Sequence, residues 1–253
     1  MDRWVGKVAV VTGASAGIGA ATVEALVKQG LIVAGFARRK ERIEELAKKL
    51  QASNAKGKLH AVKVDMTKED EIIDGFNWVK KNLGPIHVLV NNAGVARFNS
   101  LVDGDTQKWK EIIDTNVIGL CIATREAVKD MRANNVNGHI IHINSVAGHK
   151  VPSIPNANIY PASKYAVTAL TETLRHEFIQ NKLKIKITSI SPGYVKTEIF
   201  EASGIKIDPN NPAFGNMEGL VGEDIANSVL YVLGTPPHVQ IQELTIAPLH
   251  QPS

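Results

Sequence analysis

The 253-residue chain has one cysteine, no internal repeat, no low-complexity tract, and no apolar run of the roughly 18 residues that a membrane helix needs. A lone Cys121 cannot form an internal disulfide, which fits a reducing compartment such as the cytoplasm, and its apolar neighbours suggest an inert core thiol. The chain passes from Met1-Asp2-Arg3-Trp4 almost directly into a strand-like run, so neither a signal peptide nor a membrane span is expected. Net charge is +4, but lysine and arginine alternate with acids throughout. Without a basic tail or an aromatic-basic stripe, a solvated surface is expected and not a nucleic-acid partner. A metal is not expected either. His139 and His142 lie three apart on a strand and so face opposite ways, and His176-Glu177 lacks a second histidine.

The sequence does have a regular alternation. Runs of strand length occur at Val8–Val11, Ile32–Phe36, Leu59–Val64, Val88–Val90, Ile140–Ile143, Ile185–Ile190 and Ile241–Ile246, separated by stretches of helical period. Continuous Val/Ile runs suit a parallel sheet covered on both faces, with right-handed crossovers. With 44% hydrophobic residues, the chain fits one large α/β domain spanning residues 1–253. The longest stretch without clear periodicity is 193–222, a candidate substrate-covering loop.

Two stretches carry chemistry. The first strand runs into Thr12-Gly13-Ala14-Ser15-Ala16-Gly17-Ile18-Gly19, and a helix is expected from near Ala20. Glycines there let the backbone approach a pyrophosphate, and the helix N-terminus supplies unpaired N–H groups. The spacing is Gly-x-x-x-Gly-x-Gly, not the commoner Gly-x-Gly-x-x-Gly; a plain strand-helix corner is the bland alternative. The second stretch is Asn144–Lys164. Ser145 ends an apolar strand, and Tyr160 and Lys164 stand four apart on the first turns of a helix, with Asn158 as the expected cap and Pro161 tolerated in the first turn. Such a set suits proton transfer at an alcohol oxygen. A phenol working near neutrality needs its pKa lowered by roughly 2–3 units, about 3–4 kcal/mol, which a nearby ammonium favours. Taken alone, Tyr-x-x-x-Lys is more often a lysine lying over an aromatic face.

Thr12–Gly19, Asn91-Asn92-Ala93-Gly94, Asn116, Ser145, Tyr160-x-x-x-Lys164 and Pro192-Gly193, in that order, resemble the motif set of the short-chain dehydrogenase/reductase family over essentially the whole chain. The resemblance implies a Rossmann-like, doubly wound, mainly seven-stranded parallel sheet with helices on both faces, a nicotinamide cofactor and reversible carbonyl/alcohol chemistry. It implies that Tyr160 is the acid/base, that Lys164 lowers its pKa and holds the ribose, that Ser145 orients the substrate and that Asn116 holds a relay water. Cofactor contacts are implied for Gly13, Ser15, Gly17, Ile18, Gly19, Asp65, Asn92, Ala93, Gly94, Tyr160, Lys164, Pro192, Gly193, Val195 and Thr197. Asp65 would lie near the adenine, or equally cap the next helix. Two departures from the family pattern bear on the shape of the substrate loop: the Ser145-to-Tyr160 separation is longer than usual, with the extra residues in Val151–Asn156, and Pro161 follows the tyrosine where a small residue is common.

After the second strand, where a carboxylate would accept ribose hydroxyls, the chain has Ala37-Arg38-Arg39-Lys40. Guanidinium groups offer paired donors to a 2′-phosphate, so NADP(H) is the expected cofactor, with Arg38 as its main ligand and Arg39 beside it. For Arg39 and Lys40 the favoured reading is instead the start of a solvated helix with Glu41, Glu44 and Glu45. Apolar residues flank the cleft, among them Val95, Val151, Tyr194 and Phe200, which suggests a small lipophilic alcohol or carbonyl, though any single one of them equally reads as packing the loop onto its own domain. Asn144–His149 and Thr235–Ile241 resemble the farnesol dehydrogenase-like branch of the family and its ketosteroid-reducing vertebrate relatives. That branch implies isoprenoid alcohols, steroid ketones or reactive carbonyls as substrates. The family also implies a homodimer or homotetramer through the helices holding Asn116 and Tyr160. Two other functions compete with this one: a catalytically silent NADPH-binding regulator, and a nucleotide-sugar epimerase or dehydratase. The short stretch after Pro192 leaves little room for the lobe that the last would need.

Overall fold

The computed structural model describes residues 1–153, 155–199 and 218–251. Seven strands form one parallel sheet in the order β3-β2-β1-β4-β5-β6-β7. They are β1 (Val8–Thr12), β2 (Ile32–Ala37), β3 (Lys58–Lys63), β4 (Ile86–Asn91), β5 (His139–Ile143), β6 (Lys186–Pro192) and β7 (Glu243–Ile246). Each strand follows one of the apolar runs. β7 begins later than its run suggests because side chains replace ladder bonds there: Thr188 Oγ1 donates to Ile241 O (2.7 Å) and Ile187 N donates to Gln240 Oε1 (3.2 Å).

Alternation along the strands sends residues to two cores. Ala9 and Val11 of β1 and Val33 of β2 pack with Val23, Leu26 and Val27 of α1 (Gly17–Lys28) and with Ile43 of α2 (Lys40–Ala52). Ile225, Val229 and Val232 of α7 (Gly222–Gly234) close the same side. Val8 and Val10 of β1 and Phe36 of β2 face the other way. There they meet Ile72, Phe76 and Val79 of α3 (Glu69–Asn82) and Ile122, Ala123, Ala127 and Met131 of α5 (Leu120–Ala133). Phe178 of α6 (Tyr160–Gln180) joins this second core. Fully burying such side chains stabilises by about 1.5–3 kcal/mol each. Sheet order reverses between β1 and β4, so the ends of those strands, Thr12-Gly13 and Asn91–Gly94, flank the crevice where doubly wound sheets bind ligands.

α1 begins at Gly17, three residues earlier than expected, directly at the glycine turn. α6 begins at Tyr160. Its N-cap is Ile159 and not Asn158, but Asn158 does the capping, because its Oδ1 accepts from the N–H groups of Ile159 and Tyr160. Asp65 does not cap α3. Its Oδ1 accepts instead from Thr67 N and Thr67 Oγ1, closing a turn ahead of that helix. No helix among the described residues is long and apolar enough to cross a membrane.

Candidate active site

Thr12, at the end of β1, sets the glycine turn. Its Oγ1 accepts from Asn92 N and Ala93 N, both at 3.0 Å, while Asn92 Nδ2 donates to Thr12 O (2.9 Å) and Gly13 O (3.2 Å). The β1 and β4 ends are thereby locked together. Gly13 has φ +67° and a Cβ there would lie 2.8 Å from Ala93 Cα; at Gly19 it would lie 2.2 Å from Gly13 O. Both positions must be glycine for this approach, and a larger residue would fill the cradle. α1 then starts with no side-chain cap and no acid in its first turn, leaving its N–H groups and partial positive charge available to an anion. Ser15 and Arg38 have no side-chain partner among the described residues, and Arg38 is exposed. A dinucleotide fits this cradle.

Asn116 lies in a π-helical turn, Asp114–Gly119, between α4 (Thr106–Ile113) and α5. A π-turn re-aims side chains that a regular helix would point outward. Asn116 is buried; its Oδ1 accepts from Val95 N (2.8 Å), and its Nδ2 donates to Val95 O (3.0 Å) and Ser163 Oγ (3.1 Å). Ser163 Oγ in turn donates to Tyr160 O (2.7 Å). The backbone of Val95, the π-turn and the first turn of α6 are thus one hydrogen-bonded unit. Ser163 has no motif signal of its own; only its contact with Asn116, 47 residues away in sequence, reveals it.

Lys164 is buried, and its Nζ donates to Ile143 O (3.1 Å), its only acceptor among the described residues. Burial pulls the ammonium pKa down to about 8. It stands 5.9 Å from the Tyr160 ring centroid and 4.0 Å from where a Cβ on Gly94 would be. Two of its N–H groups therefore remain for ligands. Burial pushes the Tyr160 phenol above its usual value, and a side-chain hydrogen bond with Ser145 pulls the other way. Burial outweighs the Ser145 hydrogen bond, and the lowering expected from Lys164 does not contribute in this state. Ser145 Oγ also accepts from Ala147 N (3.1 Å), which fixes the serine at the end of β5. Behind the site, Asn144 Nδ2 donates to Thr168 Oγ1 (2.9 Å) and Thr168 Oγ1 to Gly148 O (3.0 Å), tying the serine turn to α6.

The remaining expected residues divide. Gly17 and Thr197 meet: a Cβ on Gly17 would lie 3.1 Å from Thr197 Cγ2. Ile18 packs against the first core, and Val195 is buried and bridges to Leu220. Pro192 ends β6, and Gly193 N donates to Ile246 O (2.7 Å). Tyr194 N donates to Gln251 Oε1 (2.8 Å), a tie that sequence did not suggest. Arg39 is bound to Glu198 (3.2 Å). Val95 is held at the site by Asn116, whereas Val151 is 65% exposed. Phe200 and most of the 193–222 loop lie outside the described residues. Cys121 is half-buried, with its thiol pushed up by burial. Among the described residues no three His, Cys, Asp or Glu side chains form a group that could hold a metal ion.

A short chain dehydrogenase family model matches residues 7–207. The chain belongs to the short-chain dehydrogenase family. It is 54% identical to a farnesol dehydrogenase of Aedes aegypti over 250 residues, covering 98% of each chain. It is 45% identical to dehydrogenase/reductase SDR family member 11 of Bos taurus, covering 99% of each. Among solved structures, the closed form of a serine dehydrogenase complexed with NADP+ superposes with a TM-score of 0.84 at 30% identity, over 94% of each chain. A Burkholderia phymatum family member in complex with NAD gives 0.85 at 25% identity, over 97% of this chain and 90% of that one. These family members carry either nicotinamide dinucleotide, so the family alone leaves the choice between the two to this chain's own residues.

Proposed function

We propose that this family member is an NADP(H)-dependent oxidoreductase that interconverts a lipophilic alcohol and its aldehyde or ketone. The observation that carries this is the buried Lys164 ammonium, with one acceptor among the described residues, beside a Tyr160 phenol that Ser145 holds by a hydrogen bond. A buried cation with unfilled donors is costly unless a ligand completes it. A bound nicotinamide cofactor would supply or accept the hydride at the carbonyl carbon. Tyr160 gives its phenolic proton to the carbonyl oxygen in reduction and, as phenolate, takes it back in oxidation. Ser145 donates a hydrogen bond to the same oxygen as negative charge develops there. Lys164 would hold ribose hydroxyls, and Asn116 would hold a relay water beside it. A catalytically silent binder has no use for this constellation, and nothing in the site favours that alternative.

Arg38, exposed and unpartnered among the described residues, is the ligand proposed for a 2′-phosphate. The farnesol dehydrogenase relative supports an isoprenoid alcohol as substrate, with steroid-type ketones and other reactive carbonyls in the same class. The protein is further proposed to be cytoplasmic and a homodimer or homotetramer through the helices carrying Asn116 and Tyr160, where Ile118 and Tyr165 stand exposed. The direct test is farnesol oxidation with NADP+ and with NAD+. Turnover with NADP+ at the higher kcat/KM is expected; turnover with NAD+ alone would overturn the cofactor assignment, and none with any lipophilic alcohol would overturn the activity.

A further inference from the structure

The segment leaving β6 crosses the cofactor cradle. Gly193 is fastened to β7, Lys196 N donates to Leu220 O (2.8 Å) and Leu220 N to Tyr194 O (3.0 Å), and the Thr197 methyl rests against Gly17 at the start of α1. One residue further on, Glu198 reaches α2. Its Oε2 lies 3.2 Å from Arg39 Nη2, and both its oxygens lie 2.9 Å from Arg42 Nη1. The other cation at this end of α2, Lys40, is satisfied within its own helix by Glu44 (3.2 Å). Arg38 is unpaired among the described residues. Glu198 is therefore the one carboxylate among the described residues that another element brings to these arginines. Burial alone would raise its pKa, but Arg42 and Arg39 hold the carboxyl below its ordinary value, so it is anionic near neutrality.

We propose that Glu198 sets the affinity for the 2′-phosphate of the cofactor by occupying Arg39 and Arg42 until that phosphate displaces it from Arg39. The inference rests on the 2′-phosphate reading of Arg38 given above. The pair is replaceable: both partners are nearly half exposed, and ion pairs so exposed contribute little to stability. A phosphate dianion brings more charge and more acceptor oxygens than a carboxylate, and a guanidinium prefers it accordingly. Displacement is also graded by geometry. The contact with Arg39 is the longer one, and Arg42, one helical turn on, keeps two short contacts with the carboxylate after Arg39 turns to the phosphate. With a cofactor lacking the phosphate, Glu198 keeps both arginines.

Glu198→Gln tests this by removing the charge while keeping the shape. Dissociation constants are measured for NADPH and NADH by fluorescence, and for adenosine 2′,5′-bisphosphate and AMP by calorimetry. The variant is expected to bind NADPH and the bisphosphate about three- to tenfold more tightly, with NADH and AMP unchanged. Equal weakening of all four ligands would make the segment a mere cover and overturn the proposal, as would no change in any. If the unmodified protein shows no preference for the phosphorylated ligands, the NADP(H) reading fails and this inference fails with it. A preference that is present but unmoved by Glu198→Gln sinks the inference alone.

Discussion

At the scale of single residues, the account turns on where protons and charges sit around Tyr160. Burial raises the phenol, and the ammonium that should lower it stands 5.9 Å from the ring centroid. Oxidation needs the phenolate, so its rate is expected to rise with pH until Tyr160 is ionised, whereas reduction, which needs the neutral phenol, should not rise. A pH–rate profile in both directions checks this, and an oxidative limb that is flat while chemistry limits would remove Tyr160 from its role. Tyr160→Phe should lower kcat by about 10²–10⁴-fold while NADPH still binds, since the lost hydroxyl serves chiefly proton transfer. Arg38→Asp places a carboxylate where a phosphate is expected. Preference should pass to NADH, as the ratio of kcat/KM values for the two cofactors will show, and an unchanged ratio would contradict the assignment.

At the scale of elements, the site is held by junctions. The π-turn lets one asparagine satisfy the backbone of Val95 and the hydroxyl of Ser163 at once, joining the β4 loop to α6. Asn116→Ala leaves Val95 N–H and C=O without these partners, which should cost about 1–3 kcal/mol in urea unfolding and lower kcat together with stability. Loss of activity without loss of stability would assign Asn116 a purely chemical role. Elements were far more legible in the sequence than junctions. The glycine turn, the strand runs and Tyr160-x-x-x-Lys164 are patterns readable within a few residues of sequence, although what requires glycine at Gly13 is its approach to Ala93, far along the chain. Arg42–Glu198, Tyr194–Gln251 and Asn116–Ser163 join residues separated by 156, 57 and 47 positions, and no periodicity marks them. Asn158 shows the intermediate case. Its capping role was readable, but its own φ of +45° shifts the helix start by a residue.

At the scale of the whole molecule, the parallel sheet buries two histidines of β5 that lie outside the proposed catalytic set. His139 bonds to Thr188 Oγ1 (2.8 Å) and His142 to Thr171 Oγ1 (2.9 Å). Burial, reinforced by Lys186 and Arg3 for His139 and by Lys164 for His142, lowers both to about 3 from 6.5. Both imidazoles are therefore neutral in the fold and protonate below about 6.5 only when it opens. Stability should be full above that pH and fall as pH drops from 6.5 toward 3, by about 1.4 kcal/mol per unit for each histidine. Urea unfolding at a series of pH values checks this, and His139→Gln should flatten the slope. The measurement that tests the central claim most directly is loss of NADPH fluorescence with farnesal, a steroid ketone and an aromatic diketone, run beside Tyr160→Phe. The account predicts that the unmodified protein consumes NADPH with at least one of these carbonyls and that the variant binds NADPH without consuming it. Equal consumption by both would contradict the assignment of the proton to Tyr160, and tight binding with no consumption by either would contradict the carbonyl chemistry itself.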